Sequence, residues 1–101
     1  MTLSDLQKHI DKIYGHRDRA RGTAGTFLWF TEEVGELAEG IRTRSRESME
    51  EEFADVLAWL LSLANLEDID VQKAVTAKYG LGCPRCKELS CTCVDPTKTT
   101  T

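Results

Sequence analysis

The sequence predicts an all-α protein, a four-helix bundle closed by a short cysteine-rich C-terminal cap. Three observations point there. Apolar residues recur at helical spacing over 26–41 and again over 48–66. Start and stop signals bracket four separate segments. No alternating apolar–polar strand pattern occurs before residue 80, and there is no internal repeat. The expected domains are a helical domain over 1–80, a four-cysteine cap over 81–94 and a flexible polar tail over 95–101.

Taken in order, Ser4 with Gln7 reads as a capping box opening a short first helix that ends near Tyr14-Gly15. A basic stretch follows, His16-Arg17-Asp18-Arg19-Ala20-Arg21-Gly22, expected as a loop. The second helix is expected from about Thr26 to Ile41, then a polar link to Ser48. Ser48 with Glu51 reads as a second capping box, opening a third helix that reaches about Leu66. Asp70 caps a fourth helix over Val71 to Tyr79, and Gly80 stands where a left-handed C-terminal residue is wanted.

A chain of 101 residues has room for one domain with an adequate core, so support from a metal, a disulfide or a partner subunit is unsurprising. Seventeen acidic against thirteen basic side chains give a net charge of -4, which argues against a nucleic-acid backbone as the main ligand. The start, Met1-Thr2-Leu3-Ser4-Asp5, lacks a basic-then-apolar signal pattern. The longest apolar stretch, Val56 to Leu66, is interrupted by Ser62 and Asn65 and is too short to span a bilayer. A cytoplasmic protein with no membrane partner is expected.

At about 100° per residue the second helix aligns Phe27, Phe30, Val34, Leu37, Ala38 and Ile41 as a core stripe. Glu33 lies at its edge, with Trp29, Glu36 and Gly40. In the third helix Phe53, Val56, Leu57, Leu60, Leu61 and Ala64 form the stripe, flanked by Glu52, Asp55 and Trp59. Glu33/Glu36 and Glu52/Asp55 are both i, i+3 pairs, so each pair points one way from its helix. A short link makes the helices antiparallel, and the two acidic flanks can then pool four carboxylates. Half-buried carboxylates so pooled repel unless a cation neutralises them. Oxygen ligands without His or Cys suit magnesium or manganese. The bland alternative is a solvated acidic face; two pairs, each beside a core stripe and a Trp, argue against it.

The runs Trp29-Phe30-Thr31-Glu32-Glu33-Val34-Gly35-Glu36-Leu37-Ala38-Glu39 and Glu51-Glu52-Phe53-Ala54-Asp55-Val56-Leu57-Ala58-Trp59-Leu60 resemble the MazG-type all-α nucleoside triphosphate pyrophosphohydrolases, whose hallmark is EExxE on one helix and ExxD on the next. Asp68-Ile69-Asp70-Val71 and Lys78-Tyr79 are similar to the family's last helix, so the resemblance covers about residues 4–80. It implies a bundle of the all-α NTP pyrophosphatase type, with Glu33, Glu36, Glu52 and Asp55 as magnesium ligands. It implies that Glu32 is an outer or second-metal carboxylate that orients the attacking water. The implied reaction cleaves a nucleoside triphosphate between the α and β phosphates, in a homodimer or homotetramer.

Two positions depart from the family pattern. Val75 stands where relatives carry an Asn that holds the nucleotide, and Gly80 replaces the usual Pro after Lys-Tyr. Lys78 and Tyr79 are candidate substrate contacts, although a C-terminal Lys also complements the helix dipole. Arg21, with Arg17 and Arg19, is the other phosphate candidate, set against a solvated loop. Trp29 reads either as a base stacker or as packing beside the acids, and Trp59 carries the same two readings. His9 and His16 stand alone and receive no role.

Cys83-Pro84-Arg85-Cys86 and Cys91-Thr92-Cys93 bring four thiols into eleven residues. A CPxC turn presents two sulfurs to one tetrahedral metal, so a structural zinc on all four is expected, with disulfides or free thiols as the alternatives. Two rival functions remain at this point. One is phosphoribosyl-ATP pyrophosphohydrolase, which shares the paired-acid logic. The other is a non-catalytic helical oligomerisation module with a zinc cap.

Overall fold

The computed structural model describes residues 1–94; the tail expected over 95–101 lies outside the described residues. Three helices make the fold: α1 over Leu3–Thr43, α2 over Arg46–Leu66 and α3 over Val71–Tyr79. Among the described residues there is no strand. The all-α class stands; the four-helix bundle is not confirmed, since α1 takes in both the first and the second expected helix.

The correction falls at the first break. Gly15 does not end a helix, and the basic stretch after it is helical as far as Arg21. Asp11 and Arg19 form an ion pair of 3.2 Å that passes over Gly15, where any side chain would collide with both. That glycine clears a path for the bridge and does not stop the helix. The interruption comes at Gly22, with φ 83° and ψ 170°. Only glycine adopts this region without strain. Nothing lies within 4 Å of where its Cβ would be, so the glycine answers to conformation and not to crowding. α1 is therefore two arms, 3–21 and 23–43, joined at one residue.

The helix starts also lie earlier than the expected capping boxes. Thr2, not Ser4, caps α1: its hydroxyl accepts from Asp5 N at 3.0 Å while its own N–H donates to Asp5 Oδ2 at 3.0 Å. Ser45, not Ser48, caps α2, accepting from Ser48 N at 3.3 Å. Freed from capping, Gln7 is buried and ties the α2–α3 connection to α1. Its Nε2 donates to Ile69 O at 2.7 Å and its Oε1 accepts from Val71 N at 3.0 Å. Asn65 Nδ2 reaches Gln7 O at 3.2 Å. Gly80 is not left-handed; among the glycines only Gly22 and Gly82 have positive φ.

The chain divides into two compact units, Met1–Val71 and the part from Gln72 onward. In the first, the second arm of α1 and α2 form a hairpin turned by left-handed Arg44 (φ 60°) and Ser45. The register runs antiparallel: Gly40 lies against Ser48 and Met49, Trp29 against Trp59, and Thr23 bonds Glu67 at 2.7 Å. Gly40 is buried against Ser48 and Met49, where a Cβ would stand 3.4 Å from Ser48 Oγ, an ordinary contact distance.

The two stripes expected as core are the second correction. Leu61 is fully buried, but Phe53 is 58 % and Phe27 51 % exposed, and Val34, Ile41, Leu57 and Leu60 are also exposed. Three helices cannot wrap an apolar face on every side. Both stripes therefore lie partly on the surface of the chain. No helix among the described residues is long and apolar enough to cross a membrane.

Candidate active site

The hairpin register decides which acids meet. Glu33 from α1 and Glu52 and Asp55 from α2 each offer a carboxylate oxygen, and these oxygens lie within 4.8 Å of one another. Glu36 stands outside this trio, yet its charge is felt at both Glu33 and Glu52. Glu32 is exposed on the neighbouring helical position. Desolvation, followed by repulsion from Asp55 and Glu52, pushes the Glu33 carboxyl above its ordinary range. Desolvation likewise raises Glu52, with Asp55 and Glu36 adding to it. Glu52 Oε2 is buried with no hydrogen-bond partner. An unpaired buried carboxylate oxygen is costly, and two like charges on either side make it more so. A hard divalent cation would satisfy it, and an all-carboxylate donor set suits an ion such as magnesium.

Beside the trio opens a cavity of about 260 Å³, lined by Tyr14, Arg17, Asp18, Arg21, Asp55, Ala58, Trp59 and Ser62. One acid of the trio, Asp55, forms part of its wall. Opposite charge comes from Arg17 and Arg21, which the expected loop would have left unplaced and the first arm of α1 holds on a rigid helix. Arg21 is fixed on three sides. It donates to Asp18 Oδ1 at 3.1 Å and to Thr26 Oγ1 at 3.2 Å, and its guanidinium lies 4.9 Å from the Trp59 ring centroid. Trp59 in turn stacks on Trp29, with centroids 6.3 Å apart and 18° between planes. The two tryptophans thus form one aromatic ledge next to the acids, on which Trp29 is about half exposed.

Asp18 is absent from the expected site. It is 3 % exposed and its Oδ2 has no partner. The one available signal was an acid alone among four cationic or potentially cationic neighbours, three residues before Arg21. Tyr14 and Ser62 are further lining residues that no motif marks. Of the remaining candidates, Lys78 and Tyr79 belong to α3 in the second unit, where Lys78 Nζ sits 5.4 Å from the Tyr79 ring centroid.

The second unit gathers the four cysteines. Cys83, Cys86, Cys91 and Cys93 are all unbridged, with sulfurs within 4.8 Å of one another. Backbone N–H groups of Cys86 and Arg85 hold the Cys83 thiol below its usual range. Those of Thr92 and Glu88 bring Cys86 down to about 6. A hydrogen bond with Cys91, reinforced by desolvation, pushes Cys93 up to about 12.

Two comparisons bear on the hairpin. The chain is 34% identical over 84 residues to the uncharacterized protein YpjD of Bacillus subtilis (strain 168), covering 72% of this chain and 76% of that one. The profile of the MazG nucleotide pyrophosphohydrolase domain matches residues 22–86, a span that begins at the Gly22 bend and includes both acid-bearing helices. With the two-helix carboxylate arrangement and that match together, the chain belongs to the MazG nucleotide pyrophosphohydrolase family.

Proposed function

We propose that the protein hydrolyses a nucleoside triphosphate between its α and β phosphates, releasing a nucleoside monophosphate and pyrophosphate, with magnesium as the working metal. The observation that carries this reading is the trio Glu33, Glu52 and Asp55, drawn from two helices, with a buried unpartnered oxygen on Glu52. Glu36 is the proposed fourth carboxylate, acting at slightly longer range. Magnesium bound there neutralises the negative charge that builds on the phosphates during transfer.

The chain's own residues supply the rest. Arg21, held by Asp18 and Thr26, presents a positioned guanidinium to the phosphates, and Arg17 adds a second positive charge. The Trp29–Trp59 ledge offers a flat apolar face for a base. Glu32, next in chain to the trio and exposed, accepts a proton from the attacking water. The exposed apolar stripe of Phe27, Val34, Phe53 and Leu60 supports pairing of two copies of the chain. Lys78 and Tyr79 remain proposed substrate contacts.

The test is pyrophosphate release across a panel of nucleoside triphosphates with magnesium, run beside Glu36→Gln and Glu52→Gln. Turnover of at least one triphosphate, lost in Glu52→Gln and reduced in Glu36→Gln, is expected. No turnover by the unaltered protein, with no magnesium bound at the acids, would leave a non-catalytic helical module as the better reading.

A further inference from the structure

The segment after Gly80 has no means of folding by apolar burial. Leu81, Leu89 and Val94 are 83 %, 92 % and 102 % exposed, and residues 83–94 contain no helix or strand. Yet it has a defined course. Cys83 N donates to Glu88 O at 2.9 Å and Lys87 N to Cys83 O at 2.8 Å, which closes the first turn. Lys87 accepts the left-handed conformation this requires, with φ 66°. Gly82, at φ 124°, stands where a side chain would strike the Glu88 carbonyl. These contortions bring together the one thing the segment has in quantity, which is sulfur.

The sulfur geometry is specific. Cys83 Sγ and Cys93 Sγ are 3.8 Å apart, and all four sulfurs fall within 4.8 Å. A disulfide would need about 2.05 Å. The edge of a tetrahedron with zinc–sulfur bonds of about 2.3 Å is about 3.8 Å. Amide donors already face the sulfurs, from Thr92 N to Cys86 at 3.4 Å and from Cys93 N to Cys91 at 3.4 Å, the contacts that stabilise metal-bound thiolates. Arg85 and Lys87, within and just after the CPxC turn, offset the net negative charge of four thiolates around a dication.

We propose that Cys83, Cys86, Cys91 and Cys93 bind one zinc ion in a closed four-thiolate site that holds residues 83–93 in their folded course. With four protein ligands no position is open, so the site is structural and takes no part in phosphoanhydride cleavage. Binding and local folding are coupled, because a few turn hydrogen bonds with almost no apolar burial do little to oppose the chain entropy.

The full chain, reduced, supplied with zinc and freed of excess, is analysed for metal and thiols. One zinc per chain is expected, with four thiols that react only after chelation. Cys86→Ser and Cys93→Ser each lose the zinc, whereas Glu52→Gln keeps it, which separates this site from the acidic one. Cobalt in place of zinc is expected to give the intense visible absorption of a tetrahedral thiolate centre. Four freely reactive thiols with zinc far below one per chain would overturn the proposal. So would two disulfides formed in preference to metal binding, a site that selects iron over zinc, or a weak octahedral cobalt spectrum.

Discussion

The acid trio and the cysteine cluster solve opposite problems. Glu33, Glu52 and Asp55 are forced together by a helix hairpin that closes at Gly40 and stacks Trp29 on Trp59, whatever the acids would prefer. The cysteines lie in a segment with almost no buried apolar surface. In the first unit the scaffold creates the site and stores the repulsion. In the second the site creates the scaffold. Rigid elements can hold a metal weakly and leave room for substrate, whereas a turn-only segment needs a closed, strong set of ligands.

The sharpest way to break this contrast is at Glu52. Glu52→Gln is expected to lower kcat/KM for the turned-over triphosphate by on the order of a hundredfold or more, since it removes one carboxylate of the set proposed to hold the metal. The same variant, freed of metal, is expected to melt no lower than the parent, because one of the repelling charges is gone. A clear loss of metal-free thermal stability would mean that the trio is structural.

Metal removal gives the next contrast. A chelator that strips magnesium is expected to abolish activity while far-UV circular dichroism of α1 and α2 is unchanged. Proteolysis within 81–94 is expected to accelerate only when the cysteine metal is also taken. Accelerated cleavage within the hairpin on magnesium loss would erase the distinction between the two units.

At Gly22 the expected cost is conformational alone. Gly22→Ala is expected to destabilise by about 1–3 kcal/mol in denaturant titration, the penalty of a side chain in this region of backbone space. Arg21→Ala removes the contacts to Asp18, Thr26 and the Trp59 ring. It is expected to raise KM several-fold more than it lowers kcat, read from steady-state kinetics. The smallest effect lies at the first cap. The bonds from Thr2 depress the Asp5 carboxyl, so its contribution is present above the ordinary carboxylate range and is lost as pH falls through the lowered value. Asp5→Asn is expected to lower Tm slightly at neutral pH and not at all in strong acid.

How much of this was legible in the sequence varies with the physics involved. The last helix, Val71–Tyr79, has the bounds read from the sequence, although Gly80 after it is not the left-handed stop expected. The i, i+3 spacing reveals which acids share a face, but the choice of Glu33 over Glu36 for the trio depends on hairpin register, which no local pattern carries. Gly15 and Gly22 are indistinguishable by local propensity. One lies under a local ion pair and the other bends the chain through its backbone conformation. The apolar stripes were legible as apolar. Their exposure was not, because periodicity records which face is greasy and not what covers it. Asp18 escaped notice because buried acids with one cationic partner leave no periodic trace.

Gly22 also acts as the fulcrum of a lever. Arg21 is one residue from the pivot and Asp18 four, so a rotation about Gly22 moves the cations very little. Gln7, some fifteen residues out, lies about 22 Å along the arm at 1.5 Å per residue, and a tilt of about 10° would carry it about 4 Å. That far end is where Gln7 grips Ile69 and Val71. The arm is thus clamped toward its far end and carries its cavity-lining charges, Arg17, Asp18 and Arg21, near the pivot, so a tilt about Gly22 reaches them only as a small fraction of the travel at Gln7.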